Sequence, residues 1–153
     1  MSPHPAIGVL ALQGDVREHL RMLEGAGARA FKVRRPSDLA DLDGIVMPGG
    51  ESTTMHKLAV SFEVFEPLRR RIRDGLPAFG TCAGMILLAD RIENGVDGQE
   101  TFGGLDVTVR RNAFGRQVDS FEADVHLGFI TSPGQYSQDD DHFHAVFIRA
   151  PWV

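Results

Sequence analysis

Residues 77–92 read PAFGTCAGMILLADRI, and the middle of this stretch decides how the rest of the chain is read. A short apolar run, Pro77 to Gly80, gives way to a helix-like run from Ala83 to Ile92. The joint holds the only cysteine of the chain, Cys82, between Gly80 and Gly84. Strand, tight turn and helix with the pattern Gly-x-Cys-x-Gly form a nucleophile elbow, in which the central side chain is lifted above the end of a sheet. The flanking residues must then be small, because the strained turn brings neighbouring elements close. The helix start aims free N–H groups and a positive dipole end at the sulfur, favouring the thiolate over a thiol of ordinary pKa about 8.5. The Ala83 N–H is a natural oxyanion-hole donor. A lone cysteine is more often a buried structural residue; the two glycines and the strand–helix context argue against that here. Alone, the motif suits amidotransferases, peptidase-like folds and redox-sensing relatives equally well.

Working outward, Ala6 to Leu12 is a continuous apolar run, as expected of a strand covered on both faces in a parallel sheet. Asp15 is placed to cap a helix over DVREHLRMLEGAG, with Val16, Leu20 and Leu23 at helical spacing and Gly25 and Gly27 at its end. Arg29 to Val33 and Gly44 to Met47 read as two more strands, the latter ending in Pro48-Gly49-Gly50. A helical pattern from Ser52 to Asp74 carries Phe65, Leu68 and Ile72 as its stripe, and Pro67 predicts a break within or before it. Strand and helix thus alternate four times, which calls for an α/β fold with a parallel sheet and helices on both faces. Gln13, Gly49-Gly50 and Cys82 all fall at carboxyl ends of strands, where such folds gather their functional groups. After Glu93 the residues NGVDGQETFGG read as a loop. LDVTVRRN, SFEADV and HAVFIRA then read as strands of an antiparallel addition, with the polar, acidic TSPGQYSQDDDH as a surface loop.

The bulk properties narrow the possibilities. The 153 residues are 42% hydrophobic and 24% charged, with a net charge of −5, which fits a single domain over 1–153 and offers no basic surface for nucleic acid and no membrane segment. One cysteine excludes an internal disulfide and a cysteine-based zinc site, and a cytoplasmic setting is expected. The histidines lack metal-ligand spacing, so no metal is expected.

The loop Pro48-Gly49-Gly50-Glu51-Ser52-Thr53-Thr54 narrows the reading of the thiol. A Gly-Gly turn beside the elbow lets backbone N–H groups approach an oxyanion, with Gly50 as the second donor; the plainer reading is a turn in which Ser52 or Thr53 caps a helix. PGGESTT, FGTCAG, RNAFGRQVDSFEADV and VFIRAP, in this order, together with LQGDVREH near the start, resemble the glutaminase subunits of pyridoxal 5′-phosphate synthase, the PdxT family. PGGE and Gly-x-Cys-x-Gly are shared with many class I glutamine amidotransferases, whereas residues 111–117 with the following SFE point to this family.

That resemblance implies a flavodoxin-like three-layer sandwich, mostly parallel with antiparallel additions, and hydrolysis of L-glutamine to glutamate and ammonia for a synthase partner in a large hetero-oligomer. It implies no resident cofactor. Cys82 is then the nucleophile, Gly50 and Ala83 line the oxyanion hole, and Gly49, Gly50, Glu51, Ser52, Arg111, Ile148 and Arg149 hold glutamine. Gln13 belongs at the partner-facing entrance. The family's base and its orienting carboxylate lie in a His-Pro-Glu segment on the carboxyl side of IRAP. The sequence in hand stops at Pro151-Trp152-Val153 without that segment, so it is expected to be incomplete at its C-terminus, with one sheet edge and part of the core uncovered. Substitutes are poor: His144 lies on a strand away from the base position and His142 beside the acidic Asp139–Asp141 run. His126 also precedes the chain's end, His4 reads as an unstructured end, and His19 and His56 as helix surface. The readings left standing are a glutaminase, an inactive form that only binds the synthase, and a thiol redox sensor of the same fold.

Overall fold

A computed structural model of the chain describes residues 4–111, 117–126 and 142–153. It divides into two compact units, one reaching Arg111 and joined by Val153, the other spanning Asn112–Trp152.

The first unit is built on strands β1 (Ala6–Leu10), β2 (Arg29–Val33), β3 (Gly44–Met47) and β4 (Ala78–Gly80), all parallel in the order β2-β1-β3-β4. β3 is buried at every position and β1 at all but Ile7, as unbroken apolar runs require in a sheet covered on both sides. Helices α1 (Val16–Gly25), α2 (Ser52–Ser61), α3 (Phe65–Arg73) and α4 (Ala83–Leu88) connect the strands. One continuous core joins Leu10, Val33 and Met47 of the sheet to Met55, Leu68, Leu87 and Phe102. The break expected from Pro67 falls just before it, at residues 62–64, and Phe65, Leu68 and Ile72 are the buried face of α3. β4 ends this sheet among the described residues, and Phe79 on it is 62% exposed.

Two expectations fail beyond β4. The helix after the elbow stops at Leu88 instead of Ile92, because the chain turns extended at Ala89 and enters β5 (Ala89–Glu93). β5 pairs with β6 (Leu105–Arg110) in parallel, with an irregularity between Ala89 and Arg91, so this pair is no antiparallel addition. The second unit does hold an antiparallel ladder, β7 (Phe121–His126) against β8 (His142–Phe147), with Phe121 stacked on its cross-strand neighbour Phe147 at 4.7 Å. Here His144 stands between Asp124 and Glu122, each 2.9 Å from one ring nitrogen; Asp124 first and then Glu122 raise its pKa. The acidic 139–141 run and most of TSPGQYSQDDDH lie outside the described residues, as do residues 112–116 of the segment that carried the family likeness.

The other histidines also depart from expectation. His4 is ordered onto the first unit, its Nδ1 2.8 Å from the Gly27 carbonyl. His56 is buried, not surface: its ring meets Phe65 edge-on at 4.9 Å, and its Nε2 has no hydrogen-bond partner among the described residues. Burial pushes its pKa down, against the pull of Glu100. A histidine that resists protonation when folded gives up stability as pH falls from its unfolded value of about 6.5 toward its lower folded value. Thermal unfolding of the chain at pH 7.5 and again below pH 6 is expected to show that loss, and His56→Leu is expected to flatten it. An unchanged pH slope in the variant would assign the loss elsewhere.

Candidate active site

The site assembles where β1, β3 and β4 end. At the elbow, Cys82 is exposed and sits at φ 48°, ψ −107°, a backbone region that costs a non-glycine residue about 1–3 kcal/mol. The surroundings hold it there. Thr81 N donates to the Met47 carbonyl at 3.1 Å, and Gly84 N donates back to Thr81 O at 2.8 Å. Both flanking glycines are required sterically: a Cβ at Gly80 would stand 2.5 Å from the Gly84 carbonyl carbon, and one at Gly84 would stand 2.0 Å from the Met47 carbonyl oxygen. The small residues predicted around the thiol are thus demanded by α4 lying directly on the end of β3.

The Gly-Gly loop comes to the same place. A Cβ built on Gly49 would lie 3.1 Å from Asp15 Oδ2 and 3.6 Å from the Cβ of Cys82, so the bare side of Gly49 faces both the Asp15 carboxylate and Cys82. The loop after β1 grips this turn from the other side. Asp15 N donates to Gly49 O at 3.0 Å, and Gln13 Oε1 accepts from Glu51 N at 2.8 Å. Gly14 has φ +101°, and a Cβ there would meet Gly49 O at 1.9 Å. A Cβ at Gly50 would fall 2.5 Å from Gln13 Oε1. The run Gln13-Gly14-Asp15 and the pair Gly49-Gly50 are therefore two halves of one clasp. Because the peptide is planar and trans, the Gly50 N–H points opposite to the carbonyl held by Asp15. Asp15 does occupy the N-cap position of α1, but its side chain makes no capping bond; its backbone does the work.

Glu51, not Ser52 or Thr53, caps α2. Its carboxylate accepts from Thr53 N at 3.1 Å, and from Thr54 N and the Thr54 hydroxyl at 2.8 Å each. Burial works against its charge, yet these donors outweigh it and hold Glu51 below the usual carboxylate pKa. Arg111, just past β6, reaches the same carboxylate, Nη2 to Oε1 at 3.0 Å, with its own side chain only 12% exposed. Ser52 is buried beside them. The fold thus brings together Gln13, Gly49, Gly50, Glu51, Ser52, Cys82, Ala83 and Arg111. Ile148 and Arg149 follow β8 on the second unit, both exposed, Arg149 at φ 47°. Among the described residues no cluster of His, Cys, Asp and Glu could hold a metal, and no helix is long and apolar enough to cross a membrane.

Sequence reasoning passed over two neighbours. His19, read as helix surface, is half-buried, its Nδ1 2.7 Å from Asp15 O and its Nε2 3.1 Å from the Thr81 hydroxyl. Asp15 O can only accept, so Nδ1 carries the proton in the neutral ring and Nε2 accepts from Thr81. Gln99, inside a stretch read as loop, bonds Arg111 and Ser52. Its only advance signal is that its neighbours are glycine, acidic and small residues, among which a glutamine has no special mark.

Comparison with known proteins identifies the family of the chain. The model of the SNO glutamine amidotransferase family matches residues 9–153. The chain is 62% identical over 153 residues to the pyridoxal 5′-phosphate synthase subunit PdxT of Nocardioides sp., covering 100% of this chain and 72% of that protein. It is 60% identical over 152 residues to the PdxT of Kineococcus radiotolerans, covering 99% and 70%. A crystal structure of a glutamine amidotransferase superposes with a TM-score of 0.80 at 46% identity, over 95% of this chain and 71% of that one.

Gly84→Ala places a methyl inside the van der Waals radius of a backbone oxygen that cannot step aside, and is expected to cost at least about 1–3 kcal/mol. Gly25→Ala, with nothing within 4 Å of the added methyl, is the control and is expected to be near neutral. Equal denaturation midpoints for the two would contradict the packing described.

Proposed function

The chain belongs to the SNO glutamine amidotransferase family, and we propose that it is the glutaminase subunit of a pyridoxal 5′-phosphate synthase, a cytoplasmic hetero-oligomer with the synthase subunit. It would hydrolyse L-glutamine and pass the ammonia on. The observation that carries this reading is the strained, exposed Cys82 set against the bare face of Gly49, with Glu51 of the same loop paired to Arg111 from the end of β6.

The chemistry follows from those groups. The Cys82 thiolate attacks the side-chain amide carbon of glutamine, and the carbonyl electrons move onto oxygen. The Ala83 N–H and the Gly50 N–H are the donors for that oxyanion. Collapse breaks the bond to the amide nitrogen, which takes a proton from water and leaves as ammonia, and a glutamyl thioester remains. Water then adds to the thioester, releases glutamate and returns the thiol. Arg111 suits the substrate carboxylate and Glu51 its ammonium group, while buried Ser52 shapes the floor between them. The Gly49–Gly50 peptide is the point at which a docked partner acts. Glycine on both sides makes its rotation cheap, and turning it exchanges the bond to Asp15 N for a new direction of the Gly50 N–H.

The general base is the part that Cys82 does not receive from a described residue. In the family it comes from His-Pro-Glu, which has no counterpart between Arg149 and Val153. Labelling needs no base, so it reads the nucleophile and its pocket directly. A glutamine analogue bearing a chloroketone in place of the amide is expected to modify Cys82, L-glutamine to slow that modification, and Cys82→Ala to abolish it. Labelling indifferent to glutamine, together with rapid oxidation of Cys82 by peroxide, would replace this reading with a redox thiol. Ammonia release is measured with the synthase subunit added; labelling without release would leave the chain the binding role alone.

A further inference from the structure

We propose that Gln99 is a positioning residue that fixes the guanidinium of Arg111 for substrate, an inference that rests on the glutaminase reading for the identity of the ligand. Residues 93–100 are exposed except Gln99, which turns inward. A tight turn aims it there: Gln99 N donates to Val96 O at 3.0 Å, and Gly98 takes φ +77° in the third turn position, where glycine is favoured.

The side-chain amide of Gln99 bridges two halves of the site. Its Oε1 accepts from Arg111 Nη1 at 2.8 Å and from the Thr53 hydroxyl at 3.3 Å, and its Nε2 donates to the Ser52 hydroxyl at 3.1 Å. The orientation follows from chemistry, since a guanidinium only donates and so must face the amide oxygen. Arg111 is thereby held at both ends, Nη1 by Gln99 and Nη2 by Glu51. Glu51 alone would leave the planar group free to swing about a single contact. A carboxylate in place of Gln99 would hold Arg111 as well, but its charge would compete with the carboxylate of an incoming amino acid. A neutral amide orients the guanidinium and leaves its charge for the substrate. It also ties Arg111 to the first turn of α2 through Ser52 and Thr53, so the substrate cation site and the loop after Gly50 are set together.

Two readouts on the full chain, carrying Cys82→Ala to prevent turnover, test this. In nitrogen-edited NMR spectra, Arg111 is expected to show separate Nη1 and Nη2 signals, because both groups are bonded and rotation of the guanidinium is slow. Gln99→Met, which keeps length and removes all three side-chain hydrogen bonds, is expected to merge them and to weaken L-glutamine binding in calorimetry by roughly tenfold or more, the range for a lost bond to a charged group. Gln99→Glu restores an acceptor for Nη1 and is expected to recover the separate signals while still binding glutamine less well than the parent. Unchanged Arg111 signals and unchanged glutamine affinity in Gln99→Met would overturn the proposal. The spectrum reports on Arg111 whether or not glutamine binds; failure of the parent itself to bind glutamine would strike the ligand assignment and not the positioning.

Discussion

The contact on which the site depends is the one between Gly84 and the carbonyl of Met47. No side-chain atom fits between them, so the first turn of α4 rests on the bare end of β3. That closeness has two consequences. It forces the chain to reverse within Thr81 and Cys82, which places Cys82 in its unfavourable backbone region and turns the thiol outward. It also brings the end of β3, and hence Pro48-Gly49-Gly50, within reach of the thiol without any long loop to position it. The strain at one residue is offset by the burial of Met47, Ala83 and Leu87 in a single core.

A second layer of constraint is polar and lies on the other side of the Gly-Gly turn. Gln13, Gly14 and Asp15 occupy the end of β1, the strand adjacent to β3. Adjacent parallel strands end at the same edge, so two short loops meet as a matter of topology. Their meeting uses an amide side chain, a left-handed glycine and a backbone N–H, each matched to one feature of the opposite loop. None of the three acts through charge, although the Asp15 carboxylate itself lies beside Gly49, its Oδ2 3.1 Å from where a Cβ on Gly49 would stand. The charged pair, Glu51 with Arg111, stands one residue further out, where its carboxylate is half-exposed.

Much of this was legible beforehand because it is written in short-range signals. The strands β2 and β3 fell at the bounds read for them, the break before α3 followed from Pro67, and the glycines around Cys82 announced close packing. What escaped was decided by contacts across long separations in sequence. Nothing local distinguishes Ala89 to Glu93 as a strand and not the tail of a helix, since the partner that makes it a strand is β6. His56 carries a polar label but lies on the buried face of α2, where Phe65 from the next helix covers it. Gln99 looks like any loop residue until Arg111 arrives 12 positions later. Cap identity failed for a related reason: Ser52 and Thr53 are the better local caps, yet Glu51 takes the role because Arg111 and the α2 amides converge on its carboxylate.

The two layers differ in what can move them. The elbow is backbone against backbone, and displacing Gly84 means pulling α4 off the sheet at the expense of core burial. The clasp and the Glu51–Arg111–Gln99 network are hydrogen bonds at or near solvent, each worth about 0.5–1.5 kcal/mol net, or somewhat more where charged. A ligand or docked protein that supplies even one or two competing hydrogen bonds is therefore sufficient to rearrange the Gly49–Gly50 peptide or the Arg111 guanidinium, and insufficient to disturb Cys82. A Cys82 held by packing beside a Gly49–Gly50 turn held by exchangeable hydrogen bonds makes a site in which the turn can be reset from outside while the elbow stays fixed.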